Sequence, residues 1–275
     1  MSRPKPRFGF VQGRLIQTPG PLQWFPQAQW EEEFRRAREV GADYIELIAE
    51  RDHNPQNPIW SAEGLARMRA CANENDLVFH AFCNDYVIDH PLPGSAETLE
   101  QNFRLIDQGA ALGCEKYVLP LFEKSELSQD SADDFLEPLR AIAQRAARTN
   151  MSVLLETILT GRELISYLER LNMPNIAAVY DTGNRVAHRH DLPGDIRLLG
   201  DRIRHVHIKD KNANDQNVLL GAGLVNFKDV FEALSDIGYR GPFTFETQRG
   251  KAPLRTARYN MQLVDYFAAE ASDAS

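Results

Sequence analysis

Three carboxylates and one imidazole stand at the ends of four short apolar runs in the second half of the chain. They are Glu156 in Val-Leu-Leu-Glu, Asp181 in Ala-Ala-Val-Tyr-Asp, His207 in Ile-Arg-His-Val-His-Ile-Lys-Asp and Glu246 in Pro-Phe-Thr-Phe-Glu. If those runs are neighbouring parallel strands, the four side chains converge on a single divalent cation. A cation with open positions polarises carbonyl and hydroxyl oxygens, which is the chemistry of proton transfer next to a carbonyl. Because carboxylates outnumber nitrogen, the donor set favours Mn²⁺, Mg²⁺ or Co²⁺, with Zn²⁺ less well suited.

The elements needed to position such a set are legible along the whole chain. Short runs rich in Val, Ile and Phe alternate with stretches of helical spacing, the pattern of repeated βα units. Strands are predicted at 8–12, 44–47, 77–81, 116–120, 152–156, 176–181, 203–208 and 243–246. Their ends are separated by roughly 25 to 40 residues, room for a helix and two loops. Between them, Trp30, Phe34, Ala37 and Val40, and likewise Phe103, Ile106 and Ala110, recur at three and four residues. Eight units predict an α/β fold, a single (β/α)₈ TIM barrel over residues 1–275, ending in a small, polar, frayed tail at 268–275. Neither GxGxxG nor GxxxxGK[ST] follows any strand, so an open nucleotide-binding sheet has no support.

Composition bounds the partners. The chain has 275 residues, 43% of them hydrophobic, and a formal net charge of −8, which suits a small polar substrate better than nucleic acid. The apolar run after the basic N-terminus is too short for a signal segment, so a cytoplasmic protein without membrane association is expected. Cys71, Cys83 and Cys114 are odd in number and lack CxxC spacing, which predicts buried free thiols.

Further residues could line the mouth, the end at which barrel active sites form. Arg14 follows strand one beside Gly13, and its planar guanidinium would grip a carboxylate or phosphate. Glu46 would bind a substrate hydroxyl, and His80, read as the end of strand three, would face the pocket. Alternation along strand seven puts Lys209 on the same side as His207, while His205 lies one layer deeper as a core residue. Arg249 would reach substrate from the last loop, and the segment Arg51 to Trp60 would cap the pocket. Gly221-Ala222-Gly223 reads as a tight structural loop, with Asn226 as a helix N-cap.

The motifs LLET, YDTGN, HVHIKD, GAGLVNF and FTFE, in this order, together with Gln12-Gly13-Arg14-Leu15, resemble the sugar isomerase and epimerase superfamily, whose barrel is shared with xylose isomerase and endonuclease IV. The resemblance implies that Glu156, Asp181, His207 and Glu246 hold the metal. It also implies that Glu156 and Glu246 carry the proton through an enediolate, giving epimerisation or isomerisation of a small sugar, and that the protein forms a homo-oligomer. Alternatives within the same superfamily are an inosose- or dehydroshikimate-type dehydratase, an endonuclease IV-like phosphodiesterase and a noncatalytic sugar-binding barrel. Where many relatives carry D-x-x-H after strand six, this chain has Asp181-Thr182-Gly183-Asn184. Asn184 can therefore hydrogen-bond a substrate hydroxyl but is a poor metal ligand, which disfavours the phosphodiesterase.

Overall fold

A computed structural model describes residues 6–18 and 20–273. Eight parallel strands close into a barrel in sequential order. They are β1 (Phe8–Val11), β2 (Tyr44–Ala49), β3 (Ala81–Asn84), β4 (Lys116–Pro120), β5 (Ser152–Glu156), β6 (Ile176–Asp181), β7 (Ile203–Ile208) and β8 (Phe243–Phe245). The connecting helices are α1 (Trp30–Val40), α2 (Ala62–Glu74), α3 (Tyr86–Asp89), α4 (Ala96–Leu112), α5 (Ala132–Ala147), α6 (Gly161–Leu171), α7 (Thr182–Ala187), α8 (Leu192–Leu199), α9 (Phe227–Asp236) and α10 (Pro253–Asp273).

Local chemistry fixes where these helices begin. Ser61, Ser95 and Asn226 accept hydrogen bonds from Gly64, Thr98 and Asp229 backbone N–H groups, and Thr160 forms a reciprocal capping box with Glu163. Helix α1 buries Trp30, Phe34, Ala37 and Val40 against the barrel, the stripe its spacing predicts. Each large apolar side chain of that kind contributes about 1.5–3 kcal/mol on burial. In α4 the buried stripe runs through Asn102, Leu105, Ile106 and Gly109, so Phe103 and Ala110 sit at its margin.

Two expectations need correction. Strand three lies at Ala81–Asn84, not at 77–81. Val78 makes only an isolated bridge to Tyr44, and regular pairing with β2 resumes at Leu47 and Phe82. The apolar Leu77–Phe79 run therefore imitates a strand just ahead of the true one. The expected tail at 268–275 is helical through Asp273, because Ala268 and Ala271 extend the buried face of α10. Ala274 and Ser275 lie outside the described residues. All three cysteines are free and buried, as expected.

The barrel interior is unusually polar below the mouth. Tyr44, Glu46, His205 and Thr244 are fully buried and hydrogen-bonded to one another. Tyr44 Oη lies 2.6 Å from Thr244 Oγ1, and Thr244 Oγ1 lies 3.0 Å from His205 Nε2 and donates to Glu46 Oε2 at 3.2 Å. Gly9 on β1 makes room for this column, since a Cβ there would lie 2.1 Å from the Tyr44 ring.

Candidate metal centre

Parallel register sets Asp181 directly beside His207, and β5 and β8 flank that pair. One ligand atom from each of Glu156, Asp181, His207 and Glu246 lies within 4.8 Å of the others. Measured from His207 Nδ1, Glu246 Oε2 is at 3.3 Å, Glu156 Oε2 at 3.6 Å and Asp181 Oδ2 at 3.9 Å. The four side chains predicted from the strand ends are thus brought together.

Whether they fit a cation can be tested on their unpaired atoms. His207 Nδ1 and Asp181 Oδ2 are both buried without a hydrogen bond of good geometry, although the Lys209 ammonium stands 3.3 Å from the latter, and such an arrangement is expensive unless another partner belongs there. The remaining His207 nitrogen, Nε2, lies 2.9 Å from Glu46 Oε1, the carboxylate–histidine pairing that orients a metal-binding imidazole. Burial opposes charge on His207, yet Glu46, Glu156 and Glu246 hold its pKa well above the usual value. The field that favours a proton on this ring equally favours a divalent cation beside it. Three oxygen donors and one nitrogen therefore fit such an ion.

The two glutamates differ in environment. Burial, reinforced by Glu246 and Asp181, pushes Glu156 up to about 8 against the opposing pull of His207. Burial also works upward on Glu246, but Lys209, His207 and Arg14 outweigh it and hold that carboxyl well below its ordinary range. Lys209 Nζ is 3.0 Å from Glu246 Oε2 and 3.3 Å from Asp181 Oδ2, and donates to Asn184 Oδ1 at 3.3 Å. Asn184 in turn donates from Nδ2 to Glu156 Oε1 at 3.0 Å. Lys209 and Asn184 thus bridge the two ends of the glutamate pair, and both line the cavity as expected.

Other expected contacts are relocated. Glu46 borders the cavity but is fully buried, and both of its oxygens are engaged, Oε2 with His205 at 2.6 Å and Oε1 with His207 at 2.9 Å. His80 precedes β3 and therefore lies at the floor, its ring 5.2 Å from Tyr44 and 5.9 Å from His205. Burial keeps it neutral, with its pKa down at about 2. Arg249 is not among the residues that line the cavity. Its Nε donates to Gly13 O and its Nη2 to Pro21 O and Leu22 O, each at 2.7 Å, which fastens the β1–α1 loop to the last loop. Arg14 touches the site through Glu246 at 3.4 Å; its Nη1 donates to Leu22 O and its Nη2 to Gln23 Oε1, while its Nε is buried without a partner. His205 lies one layer deeper in the core, as expected, with Nε2 held by Glu46 and Thr244, but its buried Nδ1 has no hydrogen bond, so it is not the fully satisfied histidine anticipated.

The cavity above the cluster measures about 390 Å³. Arg51, from the segment expected to cap it, bridges to Glu123 at 2.8 Å and to Asp89 at 3.3 Å across the mouth. Asp85, one residue beyond β3, is a buried carboxylate lining this cavity that the sequence reading missed. With the strand misplaced by several residues, the mouth-facing end was assigned to His80 instead. The available signal was the Cys83-Asn84-Asp85 run, where apolar sequence stops at a carboxylate as it does at Asp181.

Comparison with known proteins agrees with this architecture. The chain is 34% identical over 114 residues to a ketose 3-epimerase of Arthrobacter globiformis, a match spanning 38% of each protein. It is 25% identical over 231 residues to an L-ribulose-5-phosphate 3-epimerase of Shigella boydii, covering 79% of this chain and 81% of that one. The solved structure of an L-ribulose 3-epimerase superposes over 98% of this chain and 96% of its own with a TM-score of 0.77, at 18% identity, a likeness of fold. A family model for the xylose isomerase-like TIM barrel matches residues 34–266. With most of the chain and all but the first strand inside that match, the protein belongs to the xylose isomerase-like TIM barrel family.

Proposed function

We propose that this protein is a divalent-metal-dependent epimerase or isomerase of a small ketose, with Glu156, Asp181, His207 and Glu246 as ligands and Glu156 and Glu246 as the proton-transferring pair. The observation that carries this reading is the convergence of two glutamates, one at each end of the ligand arc, on a cavity of sugar size. The ketose and L-ribulose-5-phosphate epimerases among its relatives support it.

A bound cation would supply Lewis-acid polarisation of the substrate carbonyl and its neighbouring hydroxyl. The chain's own groups do the rest. One glutamate removes the proton from the carbon next to the carbonyl and the other returns one, to the opposite face for epimerisation or to the adjacent carbon for isomerisation. Lys209 places positive charge beside the oxygen on which negative charge develops. Asn184 fixes the orientation of the Glu156 carboxylate through its amide.

The test is solvent deuterium incorporation into ketoses with Mn²⁺, followed by NMR. Glu156→Gln or Glu246→Gln should abolish labelling. Unchanged labelling in both variants would remove the pair from the proton-transfer role, and loss of water from an inosose would reassign the site to a lyase.

A further inference from the structure

Epimerases that accept phosphorylated and free ketoses need different mouths, because a phosphate dianion requires unpaired cations or a cradle of backbone N–H groups. Three features of this mouth bear on that choice.

First, each lysine and arginine that borders the cavity among the described residues already has a carboxylate partner. Lys209 faces Glu246 and Asp181, Arg51 faces Glu123 and Asp89, and Lys211 Nζ lies 2.7 Å from Asp215 Oδ1. Second, the loop after strand seven, a common phosphate-binding position in such barrels, is filled by the chain's own anion. The buried Asp210 carboxylate accepts from Gly221 N and Gly223 N at 2.9 Å each through Oδ2, and from Val225 N at 3.1 Å through Oδ1. A Cβ on Gly223 would lie 2.2 Å from Asp210 Oδ1, so glycine is required for this enclosure. Third, the wall contributes a further carboxylate. Asp85 is 2% exposed, its Oδ1 accepts from the Cys83 thiol at 3.4 Å, and its Oδ2 has no hydrogen bond of good geometry although the Gln23 amide lies beside it.

We propose that the substrate is an uncharged, unphosphorylated ketose, one of whose hydroxyls beyond the reacting carbons donates to Asp85 Oδ2. An ionised carboxylate accepts from sugar hydroxyls and repels phosphate, so one side chain provides both recognition and exclusion. The inference rests on the epimerase reading for the identity of the reacting carbons, but its test does not depend on turnover.

The experiment is calorimetric titration of the Mn²⁺-loaded protein with two matched pairs, D-fructose against D-fructose 6-phosphate and L-ribulose against L-ribulose 5-phosphate. The free sugar of at least one pair should bind at least tenfold more tightly than its ester, and inorganic phosphate at millimolar concentration should not compete. Asp85→Asn should weaken the free ketose about tenfold while leaving dihydroxyacetone, which lacks the distal hydroxyls, unchanged. A merely structural role for Asp85 would weaken both. Tighter binding of the esters, competition by phosphate, or binding of no ketose would overturn the proposal. Free-sugar preference without deuterium exchange would uphold it while removing the epimerase reading.

Discussion

Gly183 has no side chain at the point where the Lys209 methylenes cross it: a Cβ there would lie 2.6 Å from Lys209 Cγ and 2.8 Å from its Cβ. The glycine in Asp181-Thr182-Gly183-Asn184 thus sets the path by which the lysine reaches Glu246 and Asp181. Those contacts are with the root of the side chain, which cannot swing aside. Gly183→Ala should displace the ammonium and lower the rate of deuterium incorporation by about 10²-fold, the cost of roughly 1 Å of misplacement. An unchanged rate would mean that the ammonium position is immaterial.

Removing the charge from Glu46 tests the orientation of His207. Glu46→Gln replaces a carboxylate that serves His205 and His207 together with a group that can offer an oxygen to only one of them. Mn²⁺ affinity, measured by calorimetry, should fall by about 10–100-fold. Affinity equal to that of the parent would show that the ring is held without this carboxylate.

Glu33 should impose a pH dependence on stability. It accepts from Gly13 N at 2.8 Å and Leu15 N at 3.0 Å, yet burial raises its pKa from 4.5 to about 7. Because the folded state holds its proton more tightly than the unfolded chain, the stability it contributes is full below about pH 4.5 and is lost as pH rises through 7. At about 1.4 kcal/mol per unit, the span amounts to on the order of 3 kcal/mol. Urea titrations of the parent and Glu33→Gln at pH 4.5 and 7.5 should show a shallower pH dependence in the variant, and parallel curves would contradict this.

The Asp210 enclosure should be worth measuring on its own. Asp210→Ala leaves three backbone N–H groups without their acceptor. The expected loss is about 1–3 kcal/mol in chemical denaturation. A stability within about 0.5 kcal/mol of the parent would show that water replaces the carboxylate at little cost.

The candidate metal quartet was legible in the sequence because all four residues stand at, or within one residue of, the ends of their strands, and a parallel barrel brings such ends to one rim. Lys209 followed from alternation along β7. Glu46 was placed on the inner wall, but its partners were not, since contacts to His205 and His207 link positions about 160 residues apart. Asp85 was missed and His80 overvalued for a single local reason: the Leu77–Phe79 run carries a strand-like pattern and only Val78 pairs, in isolation. The arginines near the first and last loops were read as substrate contacts because guanidinium chemistry does not distinguish a ligand from the carbonyls of a neighbouring loop, which is where Arg249 donates.

The hydrogen-bonded column that rises from Tyr44 through Thr244, His205 and Glu46 to His207 connects the floor of the barrel to the candidate metal centre. A conventional aliphatic filling would join these two regions through packing alone, without directional bonds. Here a change as remote as a methyl group at Gly9 displaces a phenol ring whose hydroxyl begins a relay ending at the imidazole. Anyone probing this site by mutagenesis should therefore sample the basement as thoroughly as the doorway.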